Sequence, residues 1–277
     1  MYESYWHLQS QPFAAGSNAK LYYPAETHQG TLLKLRYTIE NRRGAALLVG
    51  PSGSGKTLLV RLLAEQLAEE YRPLVHIVFP QMPAAQLLAY LADELGAVAG
   101  ERGASPCDAS LDTSVRRIQR CLAENANKGK HAVVAIDEAH LLDGSRAFEA
   151  LRLLLNFEIE GVPALTLLLV GQTALVPMLA RMPHMEERLA VKCLLRPLLV
   201  EETMAYVQHR LATVGSDRTI FEPAAIETLH QLARGIPRQI NRLCDLALLI
   251  GFAEEQRSIG PEQIEAVSRE LVTVGSD

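Results

Sequence analysis

Between Ala45 and Thr57 the chain reads AALLVGPSGSGKT, an apolar stretch that runs into Gly50, Gly53 and Gly55 and then Lys56 and Thr57. Glycines at this spacing let the backbone fold tightly enough for its N–H groups to point inward at a polyphosphate. Lys56 then offers a point charge to β and γ phosphates, and Thr57 offers a hydroxyl to Mg²⁺. A helix starting here adds the positive end of its dipole. An ordinary glycine turn before a helix is the plain alternative, and the flanks decide between the two. AALLV reads as a buried parallel strand and LLVRLLAEQLAEEY as an amphipathic helix, which is the strand-loop-helix setting of a P-loop. The nucleotide-binding set is therefore Gly50, Pro51, Ser52, Gly53, Ser54, Gly55, Lys56, Thr57 and Leu58.

A chain of 277 residues, 48% hydrophobic and 21% charged, builds an ordinary globular core with room for a smaller second domain. The longest charge-free apolar run, GVPALTLLLVG at 161–171, is too short to span a bilayer. The opening MYESYWHLQSQPF has neither a basic start nor an apolar signal region, so a cytoplasmic protein without a membrane span is expected. Cys107, Cys121, Cys193 and Cys244 lie far apart, with no spacing of a zinc site or disulfide framework. They are expected to be reduced and mostly in the core.

In the first segment Tyr2, Tyr5, Trp6, Phe13, Tyr22 and Tyr23 are too many rings to leave in water. They form a hydrophobic strap, or else the part near Pro12 and Phe13 covers the base of a bound nucleotide. His28–Arg42 has helical periodicity and leads into the P-loop strand. PLVHIVFP at 73–80 reads as a second strand, and AAQLLAYLADELG as a second helix ending at Gly96. Residues 97–109 read as a surface loop, followed by a helix carrying Arg116, Arg117 and Arg120. That cluster is a solvated face or a nucleic-acid or partner contact.

A third strand, HAVVAIDEAH at 131–140, ends in Asp137 and Glu138. Two carboxylates at the tip of a buried strand are costly unless paired or metal-bound. Downstream of a P-loop, Asp137 is expected to hold Mg²⁺ and Glu138 to polarise the attacking water, although acids capping the next helix would give the same pattern. ALTLLLVGQ at 164–172 is a fourth strand that places Gln172 at the same carboxyl edge, to sense a γ-phosphate or merely to cap a turn. Arg188 precedes a fifth strand around Val191–Leu195, as surface charge or as a finger reaching a neighbour's nucleotide. From Val200 the pattern is helical only, which divides the chain into a 1–199 α/β core with its aromatic strap and a 200–277 helical domain. In the latter, Pro237 and Arg238 open the third helix.

The net charge of −5 is unevenly spread, with 20 Lys/Arg against 20 Asp/Glu in residues 1–199 and 7 against 12 in 200–277. An acidic second domain argues against wholesale nucleic-acid wrapping and leaves only local basic clusters to meet phosphates.

Taken together, the residues resemble the AAA+ ATPase superfamily. Gly50–Thr57 stands at Walker A, Val133–Glu138 at Walker B, Gln172 at sensor 1 and Arg238 at sensor 2. More narrowly the chain is similar to the general secretion pathway protein A family, also called ExeA-like. The matching stretches are MYESYWHLQSQPF, DEAHLL, LLLVGQ, the LRPL turn, Tyr206 with Arg210-Leu211, and GIPRQINRLCDLALL. The resemblance implies a P-loop NTPase fold, with a five-stranded parallel core of order 5-1-4-3-2, an α-helical lid, and ATP with Mg²⁺ held between them. It also implies a ring or filament homo-oligomer in which Arg188 acts on the adjacent subunit's ATP, and a protein partner in a secretion or pilus-type system. The family's secretion members continue into a membrane span and a peptidoglycan-binding region. Similar stand-alone ATPases of the TniB and MuB types are DNA-transposition helpers, which is the second expectation. A switch that binds ATP with negligible turnover is a third.

Overall fold

The computed structural model describes residues 1–14, 16, 19–98, 110–216 and 218–273. Cys107 and the expected loop beyond residue 98 lie outside these. Five strands form one parallel sheet: β1 (Ala45–Val49), β2 (Leu74–Ile77), β3 (Ala132–Ile136), β4 (Leu165–Gly171) and β5 (Leu189–Leu194). Their spatial order is β2-β3-β4-β1-β5, the expected 5-1-4-3-2 read from the other edge.

Every residue of β1, β3 and β4 is buried. Alternate side chains of a strand point to opposite faces, so burial of all of them means that both faces of the central sheet are covered. Leu47, Val134 and Leu167 on one face join a core with α3 (Ala84–Val98), α4 (Leu111–Asn127) and α5 (Gly144–Leu154), centred on fully buried Phe148. The outer strand β2 alternates half-buried and buried positions, and β5 alternates exposed positions with half-buried ones and the buried Cys193, as edge strands do. Short helices α6 (Leu175–Ala180) and α7 (Pro183–Glu186) link β4 to β5. Between α5 and β4, a two-stranded pairing of Glu158–Ile159 with Val162–Pro163 turns through Glu160 and Gly161, both at positive φ. Nothing in the sequence reading anticipated it. The second helix also continues through Gly96 to Val98, beyond the stop expected there.

Two compact units divide the chain: residues 30–50 with 59–195, and residues 1–29 with 51–58 and 196–277. This differs from a 1–199/200–277 division because the aromatic segment packs with the C-terminal helices. Those are α8 (Val200–Thr213), α9 (Pro223–Ala233), α10 (Pro237–Ala253) and α11 (Pro261–Thr273). Three of the rings carry polar tips that find partners in these helices or just beyond them. Trp6 Nε1 donates to Leu248 O at 2.9 Å, Tyr5 Oη to Gln256 O at 2.7 Å, and Tyr2 Oη to Asp245. Phe13 meets Phe221 edge-on at 6.1 Å. The remaining helices, α1 (Glu26–Glu40) and α2 (Lys56–Gln66), each have residues in both units.

Cys193 and Cys244 are buried and Cys121 is half-buried, all three as free thiols. Among the described residues no helix is long and apolar enough to cross a membrane.

His131 precedes β3, only 2% exposed, with Nε2 2.8 Å from Thr166 Oγ1. Burial, helped by the charge of Arg42, pushes its pKa down to about 4. Between that value and the ordinary His range near 6.5, the unfolded chain binds the proton and the folded one does not, so stability falls as pH drops through the window. The loss reaches on the order of 3 kcal/mol near pH 4. Urea unfolding of wild type and His131→Gln at several pH values should show a flatter pH dependence in the variant. Parallel curves would refute the assignment.

Candidate functional site

The loop after β1 has the geometry that its composition demands. Gly53 and Gly55 adopt φ +81° and +97°, where a side chain is strained. A Cβ on Gly53 would also lie 2.7 Å from Arg238 Cβ. Lys56, 5% exposed, curls back so that Nζ donates to Pro51 O at 2.9 Å, which sets the ammonium across its own loop. A point charge and a ring of inward N–H groups make an anion cradle.

Two side chains from distant parts of the chain meet this loop. The ring of His28 is buried, with Nε2 2.9 Å from Ser54 O. Burial holds its pKa below the ordinary value, opposed by that hydrogen bond. Arg238, in the first turn of α10, donates its main-chain N–H to Gly53 O at 3.2 Å. Its Cβ and Cδ lie beside Gly53, and the residue as a whole is exposed.

Beside Ser54, Gly55 and Leu58 lies a small cavity of about 50 Å³, lined also by Tyr22, His28, Tyr206 and Arg210. Four of its lining groups are buried without a hydrogen-bond partner: Tyr22 Oη, His28 Nδ1, Ser54 Oγ and Arg210 Nη2. Buried polar atoms are ordinarily satisfied, so such a cluster marks the place of a polar ligand. Of the two readings of the N-terminal segment, the strap holds for Pro12 and Phe13. Pro12 O accepts from Arg210 Nε at 2.6 Å and Phe13 packs on Phe221. The residues that flank the cavity come later, at Leu21–Ala25 and His28. Sequence reading missed His28, Tyr22 and the orphaned arm of Arg210. Only a His two residues into a helix and an Arg inside an apolar helix face were there to signal them.

The carboxyl edge of the sheet carries the acids. Asp137, 3% exposed, follows β3, with Oδ1 accepting from Glu138 N at 2.9 Å and Oδ2 3.5 Å from His76 Nε2 on β2. Glu138 sits at φ 49°, ψ 37°, a left-handed conformation that costs a non-glycine residue on the order of 1 kcal/mol or more. Its Oε2 lies 3.4 Å from His140 Nδ1. Gln172 directly follows β4 on the same edge. Its main-chain O accepts from Leu175 N at 2.9 Å, closing a turn, and its side chain is partly exposed. Gly50 N reaches Gly171 O at 3.3 Å, which brings the start of the glycine loop beside Gln172.

Arg188 is elsewhere. It precedes β5 at the amino edge of the sheet, exposed, with Nη2 donating to Asn156 Oδ1 at 2.7 Å. Being at the opposite end of the strands from Asp137 and Gln172, it does not belong to their site within one chain. The basic cluster of α4 is partly neutralised: Arg116 pairs with Asp112 at 2.9 Å and Arg117 with Asp93 of α3 at 2.7 Å. Among the described residues no group of three or more His, Cys, Asp or Glu forms a metal cage. Asp137 alone, a single buried carboxylate, is the kind of ligand that suits an ion keeping most of its shell as water and phosphate oxygens.

The AAA domain family matches residues 39–179. The chain is 35% identical over 274 residues to the general secretion pathway protein A of Aeromonas hydrophila, covering 98% of this chain and 48% of that protein. The chain thus spans about half the length of that relative. Among solved structures it is similar to Cdc6p of Pyrobaculum aerophilum, with TM-score 0.72 and 17% identity over 94% of this chain and 70% of that one. The ORC2 protein of Aeropyrum pernix, in ADPNP-ADP complexes, gives 0.68 and 16% over 95% and 72%. The RuvB branch migration motor of Thermotoga maritima gives 0.58 and 20% over 88% and 69%. At these identities the likeness is one of fold.

Arg238 is presented by the turn before it. Gly235, at φ +67°, donates no Cβ to a space where one would lie 2.2 Å from Leu198 O, and its own O accepts from Leu198 N at 2.8 Å. Gly235→Ala combines positive-φ strain with a backbone clash and should destabilise the fold by roughly 2 kcal/mol or more, read as a lowered urea midpoint. Unchanged stability would refute the close packing.

Proposed function

The chain belongs to the AAA domain family and is an ExeA-like AAA+ ATPase, and on that premise we propose that it hydrolyses ATP with Mg²⁺ to drive assembly or conformational change of a partner complex of secretion or pilus type. The observation that carries the reading is the buried Lys56 ammonium lying across a loop whose glycines hold positive φ, beside a cavity of unpartnered polar groups. The ADPNP-ADP complexes of the Aeropyrum pernix protein support a nucleotide in a chain of this fold.

In this reading the N–H groups of 50–57 and Lys56 hold the β and γ phosphates, while Tyr22, His28 and Tyr206 surround the base. Thr57 and Asp137 would hold Mg²⁺, which supplies charge neutralisation of the phosphates when bound. Glu138 takes a proton from the water that attacks the γ phosphorus. Gln172 and Arg238 report the γ-phosphate from the strand end and from the lid. Arg188, on the far edge from its own chain's acids, serves a neighbouring subunit in a ring or filament.

Two substitutions separate binding from chemistry. Lys56→Ala should lose ATP binding, while Glu138→Gln should keep it and lose hydrolysis by roughly a hundredfold or more, the usual weight of a general base. Nucleotide titration and phosphate release measure the two. Normal turnover in Glu138→Gln would remove it from the mechanism, and ATP binding without wild-type turnover would leave a nucleotide-controlled scaffold.

Arg188→Ala mixed with Lys56→Ala should recover part of the activity that each lacks alone, since mixed interfaces join an intact loop to an intact arginine. No recovery in assembled mixtures would sink the role in trans.

DNA is the remaining question. With Arg116 and Arg117 engaged by acids, the α4 cluster offers little free charge to phosphates, and each contact contributes a slope of about −0.9 in log K against log salt. Fluorescence anisotropy on duplex DNA should show little binding with ATP, ADP or no nucleotide. Tight binding with ATP alone, lost in an Arg116/Arg117/Arg120 triple alanine variant, would transfer the function to the transposition helper.

A further inference from the structure

The cavity of about 50 Å³ beside Ser54 and Gly55 is lined by residues of one compact unit, and its four unpartnered groups are not equivalent. Tyr22 Oη and Ser54 Oγ are hydroxyls, which turn to donate or to accept, and Arg210 Nη2 only donates. His28 Nδ1 is set by what the other ring nitrogen does. Nε2 lies 2.9 Å from Ser54 O, a carbonyl that only accepts, so the ring's hydrogen sits on Nε2. Gly55 permits that approach, since a Cβ there would come within 3.3 Å of Nε2. Burial of the residue, which is 6% exposed, holds the pKa below its ordinary value against the Ser54 hydrogen bond and the charge of Glu202, with Arg196 adding to the depression. The ring is therefore neutral at physiological pH, and Nδ1 is a bare lone pair inside the protein. Of the four groups it alone is fixed as an acceptor.

A buried acceptor without a donor is costly, and a ligand that fills this cavity has to bring one. The phosphate loop fixes where a nucleoside triphosphate lies, and with it which edge of the base arrives here. Adenine offers an exocyclic N–H that donates to Nδ1, beside a ring nitrogen that accepts from Arg210 Nη2 or from a hydroxyl. Guanine sets a carbonyl oxygen where adenine has its amine, and an oxygen facing a bare nitrogen lone pair is repelled.

We propose that His28 is the specificity-determining residue of the nucleotide site, taking a hydrogen bond from the exocyclic amine of adenine at Nδ1 while giving one to Ser54 O at Nε2. The inference rests on the ATPase reading and deepens it. One ring then joins the base to the phosphate loop, and each of its two hydrogen bonds polarises the ring in the sense that strengthens the other.

The test is calorimetric titration of the whole protein with ATP, with GTP and with purine riboside triphosphate, which is ATP without its exocyclic amine. Wild type should bind ATP about tenfold more tightly, or better, than either of the others. His28→Gln keeps a side-chain N–H for Ser54 O and removes the acceptor, so it should bind ATP no better than purine riboside triphosphate. His28→Asn keeps an acceptor near the place of Nδ1 and loses the Ser54 bond, so it should still prefer ATP while binding both more weakly. A ring that only supports the loop would weaken both nucleotides alike in each variant and leave their ratio untouched. That result, a preference for ATP that survives in His28→Gln, or equal wild-type affinity for ATP and either competitor overturns this inference alone. No binding of any triphosphate overturns the ATPase reading with it. The wild-type comparison stands even where a variant fails to fold.

Discussion

The strands β1, β3 and β4 have no residue open to solvent, and most of the molecule's chemistry follows from that restriction. A strand buried on both faces has no place for an uncompensated polar side chain along its length. Such groups gather where the strands end. In a parallel sheet the carboxyl ends lie on one edge, so Gly50, Asp137 and Gln172 arrive there together although they are far apart in sequence. Arg188 is excluded by the same geometry, since it enters a strand at the other end.

The phosphate loop is held from outside the sheet. Ser54 O and Gly53 O, which would otherwise face inward unpaired, are met by His28 Nε2 and by Arg238 N. The loop belongs to the same compact unit as the C-terminal helices, and Arg238 is anchored to it by its backbone. One main-chain hydrogen bond joins the phosphate loop directly to the first turn of α10.

The sheet, its order and the P-loop were legible because each has a strong local cause: uninterrupted apolar runs, glycines at fixed spacing and acids at a strand tip. The candidate residues Lys56, Asp137, Glu138 and Gln172 fall at strand or loop ends that the pattern marks. What the sequence did not disclose depends on contacts between distant positions. Trp6 finds Leu248 O, and His28 finds Ser54 O, through packing that no periodicity encodes. The aromatic segment was correctly read as buried, yet nothing in it specified which helices would receive the rings. His140 stood in plain sight within DEAH, but the contact of its Nδ1 with the Gln172 N–H appears only when β3 and β4 lie side by side.

Arg210 carries a further implication. Its guanidinium is buried under the Tyr206 ring and is neutralised by main-chain dipoles, donating to Pro12 O and to Leu21 O at 3.2 Å. The planar fork matches two carbonyls at once, which an ammonium on a single stem does not. A fragment trimmed to begin at β1 would lose both acceptors together with the Trp6, Tyr5 and Tyr2 contacts to the C-terminal helices. The first two dozen residues are therefore part of what makes the helical domain a domain, and a boundary for expression or for grafting has to be drawn ahead of them.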